Sequence, residues 1–183
     1  QQRGVSLIEV LVTLILISIG LLGTASLQIL SKRSNFEAAQ RTTAAHLAND
    51  LFQRMRSNRQ ALVDYLDADG SGDASPGTAP TKDCGSDLVS CTNAQLALFD
   101  IEDWEQQIVG VESAEDGVLL EPSVCMEGPV GGGTGLYEIA IAWRGQMAHT
   151  NPTINACGDD SGKYGDDNEN RHVLVMQTYI EVD

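Results

Sequence analysis

The chain has 183 residues, of which 42% are hydrophobic, and a formal net charge of −15 at pH 7. This length and apolar content suffice for one folded domain with a core, plus an extended element. The negative charge repels a phosphate backbone, so we expect no direct nucleic-acid binding.

The charge is unevenly distributed along the chain. Residues 10–31 contain no charged side chain, and residues 32–66 hold six basic and three acidic ones. Residues 67–183 hold four basic and 22 acidic residues, a net charge of −18. The sequence therefore predicts an apolar N-terminal element followed by a strongly acidic head.

The first predicted element is an apolar helix. Its uncharged stretch of about twenty residues is long enough to span a bilayer. A secretory signal peptide would place its cleavage site after the apolar run. Here the helical pattern continues without a break, which predicts a membrane-spanning helix that stays attached to the mature protein.

Glu9 stands at the edge of this apolar run, where an ionisable side chain is costly and usually functional. The segment Gly4-Val5-Ser6-Leu7-Ile8-Glu9 resembles the processing site of type IV prepilins. The resemblance implies leader cleavage after Gly4 and N-methylation of Val5, although phenylalanine is most common there. It also implies a salt bridge from Glu9 to a neighbouring subunit's terminal amine. Since Gln1 is not methionine, we expect leader residues upstream.

The helical pattern continues beyond the apolar run. Apolar and small residues recur mostly at helical intervals as far as Leu66, and no proline occurs before Pro76. We therefore predict one helix from Val5 to Leu66, with its first half in the membrane and its second half on the head. Its basic residues favour solvated arginines facing an acidic head over a functional patch. They are Arg41, Arg54, Arg56 and Arg59.

Residues 67–83 are rich in glycine, proline, serine and aspartate, and they predict the loop that leaves the helix. Part of this loop imitates the first half of an EF-hand calcium loop, with Gly72 at the sixth position. Thr78 stands where the bidentate glutamate is needed. The weak calcium candidates are Asp67, Asp69, Ser71 and Asp73. We expect no other metal site and no cofactor.

All four cysteines lie in the acidic part of the chain. Their even number predicts two disulfides in an oxidising compartment, and their spacing is not that of a structural zinc site. Three pairings are possible. We choose Cys84 with Cys91, because a short loop closes easily. A disulfide between Cys125 and Cys157 would then anchor the polar insertion 146–171, which is too polar to fold alone.

A helix is predicted after Cys91, capped by Thr92 or Asn93, with an apolar face that packs on a sheet. That face comprises Ala94, Ala97, Ile101, Trp104 and Ile108. The string from Cys91 to Ala97, followed by Asp100 and Trp104, resembles the PilV branch of minor pilins.

Strand patterns follow at residues 118–126, 136–144 and 172–182, and they predict an antiparallel sheet. The middle strand alternates most clearly, with Tyr137, Ile139, Ile141 and Trp143 on one face. The glycine-rich segment 128–135 predicts a connecting loop. It is not a phosphate loop, because no GKS or GKT follows.

No pattern for catalysis is present. The sequence has no GxSxG and no HExxH, and His46, His149 and His172 lie in unrelated contexts. Abundant carboxylates without a defined cleft predict no acid–base chemistry. We expect a structural protein, not an enzyme.

These patterns predict an α+β fold of the type IV pilin kind, a long N-terminal helical spine packed on a small antiparallel sheet. The chain is predicted to divide into a residual leader, 1–4, a transmembrane half of the helix, 5–31, an amphipathic half of the helix, 32–66, and a disulfide-bonded acidic head, 67–183. The amphipathic half forms one domain with the head. Before assembly, the helix would cross the inner membrane and the head would lie in the periplasm. After assembly, the subunit would be part of an extracellular pilus.

The family resemblance implies a minor pilin that helps to initiate pilus assembly, in support of adhesion, twitching motility or DNA uptake. The implied partners are other minor pilins, the major pilin, a tip adhesin, the inner-membrane assembly platform, the prepilin peptidase and inner-membrane lipid. Two alternatives are a minor pseudopilin of a type II secretion system and a ligand-binding module at the tip.

Overall fold

A computed structural model describes residues 6–68, 82–86, 90–111 and 119–182. The chain divides into two compact units, Gln1–Phe36 and Glu37–Asp183. The elements are α1 Leu7–Ser57, a 3-10 turn Arg59–Ala61, α2 Leu62–Ala68, α3 Asn93–Val111, β1 Leu120–Glu127, β2 Gly135–Arg144, a 3-10 turn Asp159–Ser161 and β3 Arg171–Ile180.

The three strands form one antiparallel sheet in the order β1-β2-β3. Ile141 at the centre of β2 lies opposite Val124 of β1 and Leu174 of β3. The predicted strands are present, with ends displaced by at most two residues. A long N-terminal helix and a small antiparallel sheet confirm the predicted α+β fold.

The second half of α1 forms one side of the core of the head. Its buried residues recur three or four positions apart, which is the spacing of one helix face. They are Gln40, Ala44, Leu47, Ala48, Leu51, Phe52 and Met55. Burying each of the larger apolar side chains contributes about 1.5–3 kcal/mol. This stripe holds the helix to the head.

The prediction of one unbroken helix to Leu66 is wrong, because α1 ends at Ser57. Asn58 leaves the helical conformation, with φ −126° and ψ 53°. Its side chain is buried and donates through Nδ2 to the carbonyl of Asn93 at 2.8 Å. Asparagine is a poor helix former because its side chain competes for backbone partners. The chain continues in α2 after the 3-10 turn.

Helix α3 begins with a reciprocal cap. The Thr92 hydroxyl accepts from the amide of Gln95 at 3.3 Å, and the Gln95 side chain accepts from the amide of Thr92 at 3.2 Å. This is a capping box, so Thr92 and not Asn93 is the cap. Buried Trp104 donates from Nε1 to the carbonyl of Leu47 at 2.9 Å, which fixes α3 against α1.

Both faces of β2 are buried. Tyr137, Ile139 and Trp143 point to the core, as the alternation predicts. Ala140 and Ala142 on the other face are 1% and 0% exposed. Segment 145–170 covers that face, since Cys157 contacts the carbonyl of Ala140 at 3.6 Å. The small side chains of Ala140 and Ala142 leave room for segment 145–170 to pack on this face.

Arg171 organises the polar insertion. Its side chain is 1% exposed, and its Nη1 donates to the carbonyls of Cys157 at 2.7 Å and Asn155 at 3.0 Å. Nε donates to Oδ1 of Asn151 at 2.9 Å, and Asp159 lies 3.7 Å away. A segment too polar to form a core is thus ordered around one guanidinium that reaches several acceptors.

The structure brings together two histidines that the sequence places in unrelated contexts. The rings of His149 and His172 lie edge to face with centroids 4.3 Å apart. A Cβ on Gly145 would stand 2.1 Å from the His172 ring, so only glycine fits there. Nε2 of His172 faces Oε1 of Glu37 on α1 at 4.0 Å. Neither atom has a hydrogen-bond partner within the described residues.

Burial lowers the pKa of His172 below its ordinary 6.5, and the charges of His149 and Arg41 lower it further. The charge of Glu37 and a hydrogen bond with the backbone of Met147 act in the opposite direction and raise it, but they do not outweigh the burial. The folded protein therefore keeps this imidazole neutral where the unfolded chain already binds a proton.

We expect Arg171→Lys to lower the free energy of unfolding by about 3 kcal/mol, because a lysine cannot satisfy acceptors that lie in several directions. Denaturant unfolding of the full chain in neutral detergent measures the loss. Arg144→Lys is the matched control, since Arg144 is exposed and pairs with Glu121 at 3.2 Å. The control should cost less than about 1 kcal/mol. Equal losses of unfolding free energy in both variants would contradict the conclusion that Arg171 orders the insertion.

We expect acidification below pH 6.5 to lower the free energy of unfolding through His172. The unfolded chain then binds a proton that the folded chain does not, so the slope from this one group is at most about 1.4 kcal/mol per pH unit. His172→Gln should flatten the profile between pH 7.5 and 5.5, measured by thermal unfolding. His46→Gln, at an exposed position of α1, is the matched control. An unchanged slope in His172→Gln would refute this assignment.

Candidate functional site

The first part of α1 presents an uncovered apolar surface. Every described side chain from Ser6 to Asn35 is exposed. Among the described residues, this is the one helix long and apolar enough to cross a membrane, with a mean hydropathy of 2.4 over its most apolar window. Isolated soluble chains rarely expose so large an apolar patch. By length and composition, this surface suits lipid or other apolar helices.

Four hydroxyl groups on this surface are satisfied by the helix itself. Each donates to a backbone carbonyl three or four residues earlier, at 2.7–3.0 Å. A hydroxyl with an internal acceptor can enter an apolar medium without leaving an unpaired donor. The four residues are Thr13, Ser18, Thr24 and Ser26.

Glu9 is the one charged residue on this surface before Lys32 within the described residues. Its backbone amide bonds to the carbonyl of Ser6 at 3.0 Å in the first turn of α1. A carboxylate is favoured there by the helix dipole. The Glu9 carboxylate has no hydrogen bond or ion pair in the described part of the chain. Gly4 and Val5 lie outside the described residues, so their roles stay predictions.

Both disulfides form the pairs chosen from the sequence. Cys84 and Cys91 have Cα atoms 5.9 Å apart, and Cys125 and Cys157 have Cα atoms 5.7 Å apart. The second bridge joins β1 to the insertion and fixes the cover over β2. The disulfides therefore stabilise the head.

The described residues contain no group of three histidine, cysteine, aspartate or glutamate side chains that could hold a metal ion. Three calcium candidates, Asp69, Ser71 and Asp73, lie outside the described residues. The fourth, Asp67, falls within α2, where its side chain is not described. The loop expected from residue 67 does not begin there, because α2 extends to Ala68.

The interpretation of the arginines as solvated side chains is wrong for Arg54. Arg54 is partly buried and pairs with Asp50 at 2.9 Å, Asp103 at 2.7 Å and Asp100 at 3.5 Å. Asp100 also accepts from the hydroxyl of Tyr65. Burial raises the pKa of Asp100, and burial and this carboxylate raise that of Tyr65. Only the i, i+4 spacing of Asp50 and Arg54 was visible in the sequence.

Two residues of the segment 91–104 contact the preceding helices. Asp100 binds Arg54 and Tyr65, and Trp104 binds the carbonyl of Leu47. Both side chains therefore fix α3 to the preceding helices.

Comparison with known families agrees with this geometry. A model described as Type IV pilin Tt1218 matches residues 26–102, and the model of the prokaryotic N-terminal methylation motif matches residues 1–25. Together they cover more than half of the chain. No curated protein and no solved structure matches it significantly.

Type IV pilins are structural subunits that prepilin peptidase processes and that assemble with other pilus components. The methylation motif covers Glu9, and the pilin model covers the helix that docks on the head together with α3. The apolar surface, the lone carboxylate and the two matches lead to one conclusion: the chain belongs to the type IV pilin family.

Proposed function

We propose that the chain is a minor pilin that helps to initiate type IV pilus assembly and remains in the pilus or its tip complex. The observation that carries the proposal is the apolar surface of residues 6–35, which leaves the Glu9 carboxylate without a partner in the described chain. Such a surface is stable in the inner membrane before assembly and in a bundle of similar helices afterwards.

Glu9 sets the register of this bundle in the proposed mechanism. Prepilin peptidase cleaves after Gly4, and Val5 becomes the methylated terminus. The positive terminal amine of one subunit then pairs with Glu9 of its neighbour. Opposite charges attract strongly in an apolar surrounding, and an unpaired carboxylate there is costly. Only a neighbour in the correct axial position satisfies both charges.

Gly20 and Gly23 favour close helix packing in the filament. A Cβ on either glycine would meet nothing within 4 Å, so both positions are open to a neighbouring chain. Small residues allow helix backbones to approach closely in an apolar medium.

The minor role rests on the resemblance of residues 91–104 to PilV-type pilins and on the large insertion in the head. The proposed partners are other minor pilins, the major pilin and a tip adhesin, assembled at the inner-membrane platform with the head in the periplasm. The pilus would then serve adhesion, twitching motility or DNA uptake. We propose no enzymatic role.

Two other roles are compatible with the same helix. A minor pseudopilin of a type II secretion system carries the same processing motif and spine, and a ligand-binding module could sit at the tip. The long insertion favours the pilus, because pseudopilins of comparable type often have smaller heads.

We expect Gly4→Ala in the full precursor, expressed in its own host, to block leader removal and piliation. Glu9→Gln should leave leader removal intact and reduce piliation, because it removes the charge at nearly constant size. Immunoblots of the precursor and counts of sheared pili measure the two effects. Thr13→Val is the control, since its hydroxyl bonds only within the helix. Normal piliation with failed protein secretion would assign the chain to the secretion system, and normal behaviour in both would refute a filament role.

We expect deletion of this subunit to reduce the number of pili without changing the diameter of those that remain. A minor subunit affects initiation more than the packing of the fibre. Electron microscopy gives the pilus number and diameter, and quantitative mass spectrometry of sheared pili gives the copy number. A copy number equal to that of the most abundant pilin would contradict the minor role.

A further inference from the structure

A basic groove lies where α1 gives way to the following turn. Its lining includes Arg56, Arg59, Gln60, Asn93 and Val182, and its charged groups are the two arginines. Arg56 and Arg59 are exposed. The groove is thus a positively charged site in a protein whose residues 67–183 carry a net charge of −18.

The charges of the two arginines are not neutralised within the described chain. Arg56 donates to the hydroxyl of Thr178. Arg59 donates to the carbonyls of Arg56 at 3.2 Å and Glu181 at 3.4 Å. All three acceptors are uncharged, and the described residues contain no ion pair of either arginine. Arg54, only two residues before Arg56, binds three carboxylates.

An acidic counterpart lies in the insertion. Asp160, Asp166 and Asp167 are exposed, and the described residues contain no ion pair of their carboxylates. Their loop is held by internal contacts, because Asn168 donates to Asp159 at 2.7 Å. We call residues 159–167 the acidic loop. It presents several free negative charges on a fixed framework.

The groove and the acidic loop lie at opposite ends of β3. The acidic loop adjoins Arg171, the first residue of β3, which lies 3.7 Å from Asp159. The groove adjoins the last residues of the strand and includes Val182. Ten residues of strand separate the two ends by about 30 Å. The two charged sites therefore cannot meet within one chain.

We propose that the groove binds the acidic loop of a second copy of this chain. Opposite charges at opposite ends of one head give a head-to-tail contact between two adjacent copies in the pilus or its tip complex. Exposed ion pairs are individually weak, so this contact sets the orientation and register of neighbouring heads, while the apolar helices supply most of the affinity. It goes beyond the helix contacts that involve Glu9.

A charge exchange in the full chain, purified in neutral detergent, tests this contact by sedimentation equilibrium at low salt. Arg56→Glu/Arg59→Glu and Asp166→Lys/Asp167→Lys should each weaken self-association by roughly tenfold, because each places like charges against each other. The chain with all four substitutions restores the opposite charges in exchanged positions. Its association should return to within about threefold of the parent.

The loop variant separates this contact from general repulsion. Asp166→Lys/Asp167→Lys moves the net charge from −15 toward zero, so general repulsion would predict stronger association, whereas the proposed contact predicts weaker association. Lys82→Glu/Arg144→Glu is the control for the groove variant, with the same change in charge elsewhere on the surface. It should change association much less.

Three results would overturn the proposal. They are stronger association of the loop variant, failure of the fourfold variant to associate, and association of the parent chain that does not weaken when the salt concentration is raised from 0.05 M to 0.5 M. Over this range, screening shortens the reach of electrostatic interactions severalfold. Inorganic phosphate that binds the groove of a monomeric parent would mark a site for a small anion instead. Each result is independent of Glu9, because the Glu9→Gln assembly assay reports on the helix alone.

Discussion

Residues 6–35 carry an apolar surface that no described part of their own compact unit covers, and this constraint explains most of the molecule. Exposure of that surface to water costs a large free energy, so the helix is stable in lipid or among similar helices. In the proposed assembly, Glu9 makes the second environment specific, because a carboxylate in an apolar surrounding demands a positive partner at one position. Membrane attachment and filament formation are thus two solutions for one surface.

The head solves a different problem, which is to hold an amphipathic helix with a small sheet. Apolar burial along α1 supplies the affinity, and buried polar contacts fix the relative positions. Trp143 donates to Oε1 of Gln40 at 3.2 Å, and Trp104 donates to the carbonyl of Leu47. Each contact has one acceptor in one place, so a shifted helix would leave a buried donor unpaired.

The insertion enlarges the head without adding a second core. It covers the alanine face of β2, is joined to β1 by Cys125–Cys157, and is ordered by Arg171. Its remaining carboxylates stay on the surface. The head therefore combines a rigid frame with strongly charged ends, which suits a subunit whose neighbours must be selected by orientation. In the proposed contact, selection by charge does not depend on the apolar helix, so the charge contact and the helix contact can vary separately.

The sequence by itself determined the features that depend on local periodicity and spacing. The apolar run, the segment from Gly4 to Glu9, the strand alternation and the short loop between Cys84 and Cys91 each lie within a few turns of chain. Only the tertiary structure decided the end of α1 at Ser57, the meeting of His149 and His172, and the groove. Arg56 and its acceptor Thr178 are 122 residues apart. A charge can be read from a sequence, but whether it is neutralised depends on which distant groups the fold brings near it.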